Sequence, residues 1–145
     1  MSDPKYILVV CTGNTCRSPM GEAWLNHLLK QKGYEDYWVD SCGVYAAIGM
    51  GASGGAVRRM EQEGIDLSRH QSKPITEEMI DKAHLIFCMS PEHEHVILQT
   101  RPDAAEKIIV LNVSDPIGYS DQVYDECFQN IAAGINEHIG QLIDE

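Results

Sequence analysis

The stretch VVCTGNTCRSPMGEAW, residues 9–24, decides the fold. It begins inside an unbroken, β-branched apolar run, YILVV at 6–10, of the kind buried on both faces of a parallel sheet. It ends in a helix: Ser18 followed by Pro19 predicts the start, and Trp24, Leu25, Leu28 and Leu29 give an apolar face that stops before Gly33. Between the two lies a short loop holding Cys11, Gly13, Asn14, Cys16 and Arg17. A loop that leaves a strand and opens a helix lines up unpaired backbone N–H groups around one point and adds the positive end of the helix dipole. Such a loop is an anion cradle.

Outward from this unit, three further runs predict strands: YWVDS at 37–41, HLIFCM at 84–89 and KIIVL at 107–111. Helical patterns alternate with them. One covers 53–63 and is closed by Gly64; one covers 76–82, with Thr76 as its cap and two acids in its first turn; Ser90 before Pro91 marks another. A long closing helix over 121–143 carries Val123, Phe128, Ile131, Ile135, Ile139 and Leu142 at helical spacing. This alternation predicts βαβ units and a parallel α/β sheet, without internal repeats.

At 145 residues the chain fits one domain able to bury a core without staples. Eleven Lys and Arg stand against 22 Asp and Glu, a formal net charge of -11, which excludes a phosphate-tracking nucleic-acid surface and an anionic-membrane surface. Attraction for an anion must therefore be local. No window approaches the roughly 18 apolar residues of a membrane span. MSDPKYILVV lacks the basic start and long apolar segment of a secretory signal. The five cysteines, at 11, 16, 42, 88 and 127, show no disulfide-scaffold spacing. A reducing, cytoplasmic setting with free thiols is expected.

Three chemistries compete for the loop. Cys11 and Cys16 have zinc-like spacing, but no second ligand pair follows, and His93 and His95 read as a solvated helix face. GNTCRS lacks the Lys and the spacing of a nucleotide-binding loop. A nucleophilic thiol explains more: Cys11 stands at the loop entrance with Arg17 six residues on, and an electropositive pocket that binds phosphate also activates sulfur. Arg17 offers a bidentate fork to two phosphate oxygens, Ser18 a donor to the sulfur, and Asn14 a brace. Asp115, just past the fourth strand and before Pro116, is a candidate proton donor or simply a turn residue; Asp121 and Asp125 are rivals on the closing helix.

The run Cys11-Thr-Gly-Asn-Thr-Cys16-Arg17-Ser18-Pro19 resembles the signature of the low-molecular-weight protein-tyrosine phosphatases. SCGV at 41–44, GIDLSRHQSKPIT at 64–76, CMS at 88–90 and the Asp115-Pro116 pair follow in the family's order, so the resemblance covers nearly the whole chain. It implies one domain over 1–145, an α/β fold of flavodoxin-like, phosphotyrosine-protein-phosphatase-I type with a four-stranded parallel sheet and helices on both faces. It also implies Cys11 as nucleophile, Arg17 as phosphate clamp and Asp115 as general acid. Thr12, Gly13, Asn14, Thr15, Cys16 and Ser18 would bind the phosphate, Ser41 and His70 would support the loop, and neither metal nor cofactor is called for. Phosphorylated proteins would be the partners and inorganic phosphate a product.

In this family the second loop cysteine is associated with reversible protection from oxidation; Cys16 is that or a small residue packed beneath the loop. Thioredoxin-coupled arsenate reductases share the loop but need a further cysteine pair, and only Cys88, in an apolar strand, lies in that region. A non-catalytic phosphate-binding module would lack Cys11, Arg17 or Asp115, and all three are present.

On substrate, Thr15 resembles the bacterial protein-arginine-phosphatase branch, where tyrosine-directed members carry a larger aliphatic side chain. Ile117 and Gly118 replace the aromatics that would sandwich a phenyl ring, and Tyr45 replaces a tryptophan. Phosphoarginine is favoured over phosphotyrosine on this reading. Tyr119 and Tyr124 are expected to pack.

Overall fold

The computed structural model describes residues 4–143, with side chains as far as residue 140. Leu142, expected on the closing helix's apolar face, lies outside the described side chains. The elements run β1 (Lys5–Cys11), α1 (Arg17–Gln31), β2 (Tyr37–Gly43), α2 (Gly54–Glu61), α3 (Glu77–Lys82), β3 (Ala83–Cys88), α4 (Pro91–Thr100), β4 (Ile108–Val110) and α5 (Asp121–Ile143), with a 3-10 helix, Pro102–Lys107, before β4. The sheet has the order β2-β1-β3-β4 and every pair is parallel.

β1 is central, and its pleat divides the core in two. Ile7, Val9 and Cys11 face one side, where Leu25 of α1, Met60 of α2 and Ile131 of α5 cover them; Tyr6, Leu8 and Val10 face the other, against Ile80 of α3 and Ile97 of α4. Helices therefore cover both faces. Each fully buried aliphatic side chain contributes roughly 1.5–3 kcal/mol by leaving water, which is why β1 carries no polar residue between Tyr6 and Val10. No helix among the described residues is long and apolar enough to cross a membrane.

Three expectations are corrected. The first helix begins at Arg17, with Cys16 as a cap residue that makes no side-chain cap bond, so Ser18 lies inside the first turn. The fourth strand is shorter than 107–111, because Lys107 closes the 3-10 helix and its Nζ donates to the carbonyls of Ile80 (2.6 Å) and Ala83 (2.8 Å). His93 is not on a solvated face: it is fully buried, turned onto the end of β1 by the capping box of α4, while His95 is exposed as expected.

Candidate active site

The loop between β1 and α1 emerges at the carboxyl edge of the sheet, beside the ends of β2 and β3. Its shape is fixed by main-chain bonds from the neighbouring loop: Val44 N–H donates to Cys11 O at 2.9 Å and Tyr45 N–H to Thr12 O at 3.0 Å. These bonds require Gly43, since a Cβ there would stand 2.4 Å from the Thr12 carbonyl oxygen and 3.0 Å from the Asn14 nitrogen. Ser53 N–H adds a bond to Thr15 O at 2.8 Å.

Asn14, not Gly13, takes the left-handed turn, at φ 58°. Its N–H points to Cys11 Sγ at 3.3 Å, its Nδ2 donates to Ser18 Oγ (2.7 Å) and Ser41 Oγ (3.0 Å), and its Oδ1 accepts from Lys73 N–H (3.0 Å). His70 Nε2 donates to the Asn14 carbonyl at 2.7 Å. The expected supporting pair, Ser41 and His70, is thus brought onto the loop through this one residue. Ser41 passes its own proton to Glu22 Oε1 at 2.5 Å, and burial holds the Glu22 carboxyl above its ordinary value.

Cys11 Sγ lies 2.9 Å from Ser18 Oγ, so a hydroxyl and a backbone amide converge on the sulfur. Arg17 is buried, and its Nη1 donates to Val113 O at 2.9 Å and its Nη2 to Thr12 Oγ1 at 3.2 Å. Val113 arrives there because the chain past β4 keeps pairing with the end of β3, Leu111 N–H to Cys88 O and Val113 N–H to Met89 O, across a left-handed Asn112. Two residues on, Asp115 divides its carboxylate. Oδ1 accepts Ile117 N–H at 3.1 Å and makes the turn, while Oδ2 lies 3.9 Å from Arg17 Nη2. Asp115 therefore makes the turn and also faces Arg17. The rivals are occupied: Asp121 pairs with Arg58 and Asp125 with Arg59, each at 2.8 Å. A cleft of about 410 Å³ beside Arg17 is lined by Thr12, Ser90, Glu92 and Asp115 among others.

The remaining thiols are free and buried. Burial pushes Cys88 and Cys127 up to about 12 and raises Cys42 as well, which keeps all three protonated. Cys16 is buried, with Ser53 Oγ at 3.2 Å and Tyr124 OH at 3.4 Å. Tyr124 packs as expected, its hydroxyl pushed up to about 12 by burial and by the Cys16 contact. Tyr119 does not pack: the turn closed by its N–H on Pro116 O, through Gly118 at φ 81°, leaves it 68 % exposed.

The residue that sequence reasoning missed is His93. Its Nδ1 accepts Ser90 N–H at 3.1 Å and its Nε2 stands 2.9 Å from Thr12 Oγ1. Burial and then the Arg17 charge push it down to about 4, so it is neutral at physiological pH. The signal was present as Ser90-Pro-Glu-His93, a capping-box spacing with imidazole in place of the usual Glu or Gln.

The family profile described as low molecular weight phosphotyrosine protein phosphatase matches residues 6–145. A low molecular weight protein-tyrosine-phosphatase from Acinetobacter johnsonii is 38 % identical over 144 residues, covering 93 % of this chain and 98 % of its own. A protein-arginine-phosphatase from Geobacillus stearothermophilus is 37 % identical over 130 residues, 83 % of this chain and 84 % of its own. Among solved structures, a mutant of the YwlE arginine phosphatase with a phosphorylated active-site serine superposes with a TM-score of 0.89 at 30 % identity, over 97 % of each chain. With a profile that runs nearly end to end and relatives covered over most of their length, this chain belongs to the low molecular weight phosphotyrosine protein phosphatase family and is a protein phosphatase.

Proposed function

We propose that this phosphatase releases phosphate from modified protein side chains through a cysteinyl-phosphate on Cys11, and that it favours phosphoarginine over phosphotyrosine. The observation that carries the chemistry is the convergence of Cys11, Arg17 and Asp115 on one loop and its facing turn. Cys11 attacks phosphorus as the thiolate, in line with the departing atom. The S–P bond forms as the P–N or P–O bond breaks, and Asp115, protonated, gives its proton to the leaving group. Water then attacks phosphorus, Asp115 takes a proton back, the S–P bond breaks, and inorganic phosphate leaves. Arg17 and the amides from Thr12 to Ser18 hold the three equatorial oxygens throughout.

Arg17 is suited to this because it is pinned by neutral oxygens. Arg58, Arg59 and Arg101 each pair with carboxylates at 3.0 Å or less, whereas Arg17 bonds Val113 O and Thr12 Oγ1 and only approaches Asp115 at 3.9 Å. Its charge remains available to an incoming phosphoryl group.

The preference for phosphoarginine rests on the composition of the cleft. Two carboxylates, Glu92 and Asp115, line it beside Arg17, which suits a guanidinium leaving group that becomes cationic on protonation. Beyond that lining, Thr15 on the loop carries a hydroxyl where a bulkier aliphatic side chain would favour a flat ring, and Ile117 is exposed with Gly118 after it. Identity to relatives of both kinds is nearly equal, and the acidic lining of the cleft supports the arginine reading. The substrates on this reading are phosphorylated proteins, and five free, buried thiols suit a reducing compartment such as the cytoplasm.

The test is kcat/KM on phosphoarginine and phosphotyrosine in matched peptides, for the wild type and Thr15→Ile. The wild type should prefer phosphoarginine, and Thr15→Ile should move the ratio toward phosphotyrosine by about tenfold. An unchanged ratio would remove Thr15 from the account.

A further inference from the structure

We propose that His93 is a positioning residue for the phosphate clamp: it holds Thr12 as an acceptor for Arg17 and so turns the Thr12 hydroxyl proton into the cleft, as a further donor to the phosphoryl group. The inference rests on the phosphatase reading of Cys11 and Arg17. It follows from counting donors.

His93 is fully buried and has each ring nitrogen engaged. Ser90 N–H can only donate, so Nδ1 must accept, and the neutral ring then carries its proton on Nε2. That proton goes to Thr12 Oγ1 at 2.9 Å. Arg17 Nη2, also a donor without acceptor capacity, reaches the same oxygen at 3.2 Å. A hydroxyl oxygen has two lone pairs and one proton, and here both lone pairs are taken. The proton must point away from both donors. The hydroxyl makes no other hydrogen bond among the described residues, and Thr12 is only partly buried, on the cleft that it lines with Arg17.

The arrangement does two things for the reaction. It fixes one guanidinium nitrogen so that the fork of Arg17 presents its remaining donors in a single orientation, and preorganised donors are worth more than mobile ones. It also removes an ambiguity at Thr12, whose hydroxyl would otherwise be free to rotate between donating and accepting. Burial beside Arg17 keeps His93 neutral, so the Nε2 donor persists across the working pH range.

Two substitutions separate this relay from a plain helix cap. Asn at position 93 places its side-chain oxygen where Nδ1 stands, which keeps the Ser90 cap and deletes the bond to Thr12. Gln places its amide nitrogen where Nε2 stands, which keeps the bond to Thr12. The experiment is competitive inhibition by inorganic phosphate, with an aryl phosphate as substrate and melting temperatures recorded alongside. His93→Asn should weaken phosphate about tenfold and His93→Gln less than about threefold. In a Thr12→Val background, His93→Asn should cost less than about a further twofold, because the path it interrupts is already gone.

The proposal is overturned if His93→Asn binds phosphate like the wild type, if Asn and Gln lose equally, or if the loss in the Thr12→Val background is as large as in the wild type. A wild type that neither turns over the aryl phosphate nor binds phosphate would overturn the phosphatase reading instead, before any variant is compared.

Discussion

At Asn14 the main chain stands at φ 58°, a conformation that costs most residues about 1 kcal/mol and that Asn tolerates, and every polar atom of the side chain has a partner. A brace of that kind was legible in the motif, since an Asn between Gly13 and Thr15 has little other reason to be there. His93 follows the same logic but titrates. Its folded value of about 4 lies below the unfolded value of about 6.5, with burial first and then Arg17 opposing its protonation, and Glu92 and Asp115 favouring it. Between those two values the unfolded chain binds a proton that the folded chain refuses. This residue therefore costs stability as pH falls from about 6.5 toward 4, at up to about 1.4 kcal/mol per pH unit. Urea unfolding of the wild type and His93→Gln at pH 7, 6 and 5 should show the wild type losing its margin faster. Parallel losses would mean that His93 does not titrate this way. His93 was misread because its solvation was judged from its helix alone, whereas its N3 place in the Ser90 capping box turns the ring inward onto Thr12.

Among the elements, those with strong periodicity were legible and those shaped by their neighbours were not. β1 and α1 were read correctly to within a residue, because an unbroken β-branched run and an amphipathic helix each announce themselves. The 3-10 helix over Pro102–Lys107 has no such period, and it took the first residue of the expected fourth strand. α3 needed only its Thr76 cap, which accepts Met79 N–H. The end of β2 is the element on which the catalytic loop leans, and Gly43 is where the two main chains touch. Gly43→Ala would force a Cβ into the Thr12 carbonyl, so the loop amides must move. The expected outcome is a fall in kcat/KM of about tenfold or more, with a stability loss of about 1–3 kcal/mol. A fully active Gly43→Ala enzyme would show that the loop is not held from β2.

On the scale of the whole molecule, a formal charge of -11 surrounds a site built for an anion. The attraction is local to the short stretch between β1 and α1, where an uncapped helix start, a buried Arg17 and the Asn14 amide aimed at Cys11 Sγ lie together, and does not need a broad basic surface. Two cores on either side of β1 hold that stretch against the turn carrying Asp115, which arrives from the far end of the sheet. The α/β class and the phosphatase family were legible in the sequence, most plainly in residues 9–24. The strand order was not, because no pattern in a fully buried strand tells which neighbour it will pair with. The cysteinyl-phosphate on Cys11 is the central claim, and rapid mixing with a phosphorylated peptide, acid quench and peptide mass analysis test it most directly. One phosphoryl group should appear on the peptide containing Cys11, and should accumulate further in Asp115→Asn, where the second step has lost its base. A phosphoryl group on any other residue, or phosphate release at the wild-type rate by Cys11→Ala, would contradict it.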